Sequence, residues 1–219
     1  VDSLKDEEER TCFDLNSILI PNTVANIGKG AFKACISLEN VEIQNGIQSL
    51  PEELFAGDEK IKSISVPESV VSIGNSAFYG CEELKTVVLT NNITTIGNSV
   101  FGECAQLENL ILPSGLTTIS TSLFWNCHSL QSVTIPTSIN TIGASAFAGC
   151  YALSSIDIPN GVTEIEETTF FNCNNLTEVS IPASVTTLKT SCFLQALSLT
   201  DITIPNSVTS IEDQAFYGC

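Results

Sequence analysis

The sequence predicts a single, mainly β solenoid built from coils of 23 residues, and three observations predict it. Phe recurs at positions 32, 55, 78, 101, 124, 147, 170, 193 and 216, a constant step with no insertion. Leu or Ile keeps the same step at 15, 38, 61, 84, 107, 130, 153, 176 and 199. Apolar pairs two residues apart follow each, as in Ile64/Val66, Val133/Ile135 and Ile202/Ile204. A unit this short cannot enclose its own apolar face and must bury it against its neighbours. Length here therefore means stacked repeats, not several domains.

Each element of a coil has a local reason. L-x-x-V-x-I alternates across a β-branched stretch, which predicts a strand with Val and Ile facing inward. Equivalent residues of successive coils must then pair in parallel, about 4.8 Å apart. Pro follows the strand at 21, 67, 113, 136, 159, 182 and 205 and, lacking an N–H, ends the ladder. The V-x-x-I text of Val70/Ile73, Ile93/Ile96 and Leu116/Ile119 predicts a second short strand or extended segment at the back. G-x-x-A-F-x-G-C closes the coil. Gly or Asn stands before the Cys column at Gly57, Gly80, Asn126, Gly149, Asn172 and Gly218, as a left-handed turn position requires. A-F before it predicts one tight or 3₁₀ turn, with too few residues for a real helix.

Residues 1–14 form an acidic N-terminal cap segment in this reading, with Glu8 and Glu9 where later coils carry Ala and Phe. Residues 15–219 hold about nine repeats, the last broken off in mid-repeat at Cys219. An uncapped end exposes apolar core and an unpaired strand edge, so further repeats, or end-to-end self-association of the chain, are expected. VDSLKDEEER is acidic and polar, unlike a secretory signal, and the sequence has no Met. A piece of a longer protein is the expectation.

The full word L-x-x-V-x-I-P-x-x-V-x-x-I-G-x-x-A-F-x-G-C resembles the leucine-rich repeat of the BspA-like, or treponemal, subfamily, from about Cys12 to Cys219. The resemblance implies a right-handed, gently curved solenoid with a parallel sheet on its concave side and short extended segments and tight turns on its convex side. It also implies a non-enzymatic, adhesin-like domain of a microbial surface or secreted protein that binds a protein or extracellular-matrix ligand. A structural spacer presenting another domain, and a cytoplasmic protein-interaction scaffold, are the alternatives. Departures are local: Pro is lost at Gln44 and Thr90, Cys at Asp58 and Ala196, and Gly at Pro51, Ser120, Glu166, Lys189 and Glu212.

Cys12, Cys35, Cys81, Cys104, Cys127, Cys150, Cys173 and Cys219 occupy one column, while Cys192 sits in the small-residue column before Phe193. Zinc would need ligand pairs a few residues apart, and no C-x₂₋₄-C occurs, so no metal is expected. A disulfide frame needs fixed partners, yet each inner Cys has two equivalent neighbours, and Asp58 and Ala196 would orphan one. The favoured reading is a buried thiol ladder, each S–H meeting a backbone carbonyl in the turn. An occasional disulfide is the alternative. Free thiols persist in the cytosol or in anaerobic surroundings, and the surface of an anaerobe satisfies both them and the resemblance.

Charge removes other classes. The net charge is −17, and no basic residue lies between Lys85 and Lys189. Phosphate backbones need clustered Lys and Arg, so nucleic acid is not an expected partner, and anionic membrane surfaces are disfavoured. No apolar run approaches ~20 residues, so no membrane-spanning helix is expected. His128 is the single histidine, and it falls in a turn position held elsewhere by Ile36, Glu82, Tyr151 and Asn174. No phosphate-cradling glycine loop and no calcium loop is present, so neither catalysis nor a cofactor is expected. Glu164, Glu166 and Glu167 are read as a solvated edge, with Glu166–Lys189, Glu39–Lys62 and Lys85–Glu108 as coil-to-coil ion pairs.

Two surfaces remain. Residues alternating with the inward Val and Ile point out from the strands: one such column is Ser17, Asn40, Ser63, Thr86, Asn109, Ser132, Ser155, Glu178 and Asp201. The other contains Glu42, Ser65, Val88, Ile111, Thr134 and Asp157, small and polar with an apolar spot at Val88 and Ile111. It lacks the Trp, Tyr and Arg that anchor tight interfaces, so affinity must be built from many coils. The second surface is the residue after each Phe, aromatic on alternate coils at Tyr79, Trp125, Phe171 and Tyr217. A ridge of rings about 10 Å apart would be one use of them. Packing over the turn is the favoured one.

Overall fold

A computed structural model describes residues 12–219. Each coil contributes to two strand columns joined by turns. Longer strands form the front: β1 (Ser17–Ile20), β2 (Asn40–Ile43), β4 (Ser63–Ser65), β6 (Thr86–Val88), β8 (Asn109–Ile111), β10 (Ser132–Thr134), β12 (Ser155–Asp157) and β14 (Glu178–Ser180). Two-residue strands form the back: β3 (Ser49–Leu50), β5 (Ser72–Ile73), β7 (Thr95–Ile96), β9 (Thr118–Ile119), β11 (Thr141–Ile142), β13 (Glu164–Ile165), β15 (Thr187–Leu188) and β16 (Ser210–Ile211). All pairing among them is parallel, with each residue opposite its equivalent 23 positions on, as Ile64 faces Val87 and Ile73 faces Ile96. The acidic cap segment 1–14 lies, up to residue 11, outside the described residues.

The core is one continuous column. Nine phenylalanines from Phe32 to Phe216 stack in eight successive pairs, with ring centroids 5.2–5.9 Å apart. The spacing exceeds the coil rise of about 4.8 Å, so the rings are offset, the arrangement their quadrupoles prefer. Leu38 through Leu199 and the inward residues of both strand columns close the rest of the interior. Pro acts as expected at the end of the front strand. Its carbonyl then accepts the N–H three residues on, as Pro67 does from Val70 at 3.1 Å, and turns the chain.

The closing turn is tight but not 3₁₀, and the described residues contain no helix of any kind. The reason is a pair of left-handed positions four residues apart in every coil. The column before Cys has positive φ throughout, not only at its Gly and Asn but also at Ala34, Glu103 and Gln195. A second such column runs through Gly30, Glu53, Ser76, Ser99, Ser122, Ser145, Thr168, Ser191 and Gln214. A helix needs consecutive right-handed residues, and two reversals per turn forbid one. Successive turns instead hydrogen-bond across coils, as Phe78 N–H donates to Val100 O at 3.1 Å and Gly80 N–H to Gly102 O at 2.8 Å.

The front is not one unbroken ladder. It divides into two-stranded sheets β1–β2, β4–β6, β8–β10 and β12–β14, whereas the back strands join in runs such as β3–β5–β7. Adjacent pairs share no ladder hydrogen bonds.

Candidate functional site

The front face carries two grooves. Between β6 and β8, and reaching Ser132 and Thr134 of β10, lies a groove of about 460 Å³. Leu110 and Leu112 form its buried floor, and Val88 and Ile111 its rim. Ile111 is 73% exposed and Val88 53%, a cost in apolar hydration that packing within the chain does not relieve. A second groove of about 570 Å³ lies over β12, β14 and the following segment 200–203 and is polar, lined by Asp157, Glu178, Asp201 and neighbouring Ser and Thr.

Every residue expected to point out from the second column, Glu42, Ser65, Val88, Ile111, Thr134 and Asp157, is exposed. Asp157, Glu178 and Asp201 enter no ion pair among the described residues. The one cation of the later coils, Lys189, is held by Glu164 at 2.8 Å and Glu166 at 3.3 Å beside the back strands. Lys85–Glu108 forms at 3.6 Å as expected. Glu39–Lys62 does not: Lys62 reaches Glu83 instead, at 3.9 Å, because a long exposed side chain has several carboxylates within its arc.

The aromatic column behaves differently from a ridge of separated rings. Tyr79 and Trp125 stack with centroids 6.5 Å apart and planes 11° from parallel, closer than two coil rises would place upright rings. They lean over the coil between them, where Gly102 offers no side chain; a Cβ there would lie 2.9 Å from the Tyr79 ring. Burial, with the Glu103 carboxylate beside it, raises the Tyr79 hydroxyl above its usual range. Phe171 is half-buried, and Tyr217 is exposed. Alternation of large and Gly or Ala in this column was the sequence signal for such leaning.

His128 is exposed and stacks on Tyr151 of the next coil, centroids 4.6 Å apart and planes 3° from parallel. No nucleophile or carboxylate among the described residues is bonded to it. Among the described residues no group of three or more His, Cys, Asp and Glu could hold a metal ion. No helix among them is long and apolar enough to cross a membrane.

The cysteine column is buried from Cys35 to Cys173, with Cys12 half-buried and Cys219 exposed at its ends. Cys81, Cys104, Cys127, Cys150, Cys173 and Cys219 each donate S–H to the carbonyl of the Phe 26 residues earlier, at 3.0–3.3 Å. Burial raises the buried thiols well above their ordinary range, which suppresses thiolate chemistry. Cys35 is pushed up to about 12 by burial, with the Cys12 thiol and the Asp58 charge adding to it. Asp58 takes the Cys place in the third coil and is fully buried. Its Oδ1 accepts the Cys35 N–H at 2.6 Å, and its Oδ2 has no partner among the described residues. Burial pushes this carboxyl up to about 8, against the opposing pull of the Cys35 N–H. The sequence shows the departure at Asp58 but not its depth.

Comparison with known proteins agrees with the geometry. The family described as BspA type Leucine rich repeat region matches in six copies, over residues 9–131 and 96–219. Among solved structures, the T. pallidum leucine-rich repeat protein TpLRR is similar at 24% identity and TM-score 0.67, covering 94% of this chain and 77% of that one. A leucine-rich repeat protein from Bacteroides ovatus is similar at 25% identity and TM-score 0.54, covering 93% and 76%. The pneumococcal vaccine antigen PcpA shares the fold at 20% identity and TM-score 0.67, covering 93% of this chain and 60% of its own. No curated protein matches the chain.

Proposed function

The chain belongs to the BspA-type leucine-rich repeat family, and we propose that it is a non-enzymatic repeat domain that binds a polypeptide on its front strand face, at a microbial surface or in a secreted protein. Leucine-rich repeat proteins generally mediate protein interactions. The carrying observation is the groove between β6 and β8, where Val88 and Ile111 stand exposed on a face otherwise small and polar. Exposed aliphatic side chains beside a groove gain about 25 cal/mol per Å² when a ligand covers them, and nothing within the described chain does so. Adhesion and surface placement rest on the family resemblance.

The test is selection of binders. A random heptapeptide library is panned on the immobilised full chain, and each binder is remeasured on the Val88→Ala/Ile111→Ala variant. Binders from the front face lose about tenfold or more in affinity, the loss of roughly two buried aliphatic contacts. Binders indifferent to that change but lost on Trp125→Ala would move the site to the aromatic column. The absence of any binder would favour a spacer.

A further inference from the structure

Resting on that reading of the front face, we infer that the partner is a polyproline-II segment carrying an apolar side chain followed by basic residues three and six positions on. Three observations fix its features. The groove between β6 and β8 has an apolar rim and a volume of about 460 Å³, room for one aromatic or large aliphatic side chain. Asp157, Glu178 and Asp201 are exposed on the same face, all on one side of that groove, without an ion pair among the described residues. No Lys or Arg occurs from residue 86 to residue 188 to neutralise them. On the other side Glu39, Glu42 and Glu68 are interspersed with Lys62 and Lys85, so the side without cations sets the direction of the ligand.

Spacing selects the conformation. Asp157 lies two coils beyond Ile111 and Asp201 four, or about 10 and 19 Å at the rise of a parallel sheet. A polyproline-II chain returns to the same face every three residues and rises about 3.1 Å per residue, so its third and sixth neighbours fall about 9 and 19 Å away. The two repeats coincide. An extended β chain alternates faces and would aim its third neighbour away from the protein. A helix, rising about 1.5 Å per residue, would need over twelve residues to reach Asp201. Glu178 and Asp201 sit one column across from Ile111 and Asp157, an offset that the long stem of Lys or Arg spans. A segment already in this conformation also loses little entropy on binding, which suits a face without large anchors.

The probes are fluorescein-labelled heptapeptides titrated into the full chain by anisotropy. Phe-Pro-Pro-Lys-Pro-Pro-Lys is expected to bind, and Phe-Pro-Pro-Glu-Pro-Pro-Glu not to. The shifted isomer Phe-Pro-Lys-Pro-Lys-Pro-Pro should bind about fivefold more weakly or worse, since its cations miss the carboxylates. Neutralising the three carboxylates together (D157N, E178Q, D201N) should weaken the first peptide about tenfold and flatten its salt dependence. All three are surface residues, and an unchanged unfolding midpoint will show that the fold is kept. Equal binding of the basic and acidic peptides, or indifference to the triple change, overturns this inference. If affinity still falls on Val88→Ala/Ile111→Ala in that case, the front-face reading stands without it. Failure of the basic peptide to bind at all overturns the inference as well.

Discussion

The column of buried cysteines and the one coil where Asp58 replaces Cys are the same place in the fold solved in two opposite ways. In the coils of Cys104 to Cys173 the side chain donates, its S–H reaching the carbonyl of a Phe one coil back at 3.0–3.2 Å. In the coil of Asp58 the side chain accepts, taking the Cys35 N–H at 2.6 Å and leaving Oδ2 with no partner among the described residues. Ala196 supplies a third version with neither, equally buried. The backbone tolerates all three, since the left-handed residue before the column is kept at Gly57, Gly149 and Gln195 alike. Turn geometry therefore fixes the fold, and the side chain in the column sets only how much the position costs.

That cost is greatest at Asp58, and it depends on pH. Its carboxyl titrates at about 8 in the folded chain, against about 3.9 unfolded. Between those values the folded state binds a proton that the unfolded state has released, so stability falls as pH rises from about 4 to about 8 and levels above it. The full span corresponds to on the order of 5 kcal/mol. The groups facing it are the thiols of Cys35 and Cys81, which penalise alkaline pH in any variant. The readout is thus the difference between wild type and Asp58→Asn in urea midpoints at pH 5, 7 and 9. The amide variant should gain on wild type steadily up to pH 8. Parallel curves would mean that the carboxyl finds water or a partner and the contrast with cysteine is only one of shape.

How much of this was legible beforehand follows the same line. The period, the single column of thiols and the strand positions were legible because a stacked coil punishes any departure from register, and Phe, Leu and Pro record that punishment. The second left-handed column was not, because Ser76, Ser99, Ser122 and Thr168 adopt positive φ without the glycine that would mark it. Its cost is met by the coil-to-coil hydrogen bonds, which only a folded stack displays. The outward residues of the front face were legible from strand alternation. The grooves were not, since no local pattern tells how much open space the outward side chains of neighbouring strands leave between them. The Tyr79–Trp125 stack was within reach through Gly102, whereas the partner of Lys62 was a matter of rotamers on an open surface.

An intermediate effect sharpens the comparison from the cysteine side. Cys127→Ala removes the sulfur that bonds Phe101 O at 3.0 Å and leaves a small void, for an expected loss of about 1–2 kcal/mol in a urea titration. Cys127→Ser then separates the two contributions. A hydroxyl keeps the donor but not the apolar volume. Should Ser be more stable than Ala, the hydrogen bond is what the column conserves along its length. Should it be less stable, sulfur is there as apolar filling, and Asp58 is costly chiefly because it is polar.

The smallest effect probes the third version. Ala196 already has the backbone of the column, its N–H donating to Phe193 O at 3.1 Å as Cys173 does to Phe170 O at 3.2 Å. Its neighbours in the column, Cys173 and Cys219, both carry sulfur. Ala196→Cys would place a thiol within reach of the Phe170 carbonyl, as the 26-residue relation places those of Cys81, Cys104, Cys127, Cys150, Cys173 and Cys219. The expected gain is about 0.5 kcal/mol, one weak S–H bond and one buried sulfur less the rotamer fixed. The same measurement has a sharp opposite outcome, because overpacking a core that has closed around the missing atom costs about 1–3 kcal/mol. A loss of that size would show that the coils near Ala196 have repacked locally, so that the column is a set of separately fitted sites and not one repeated solution.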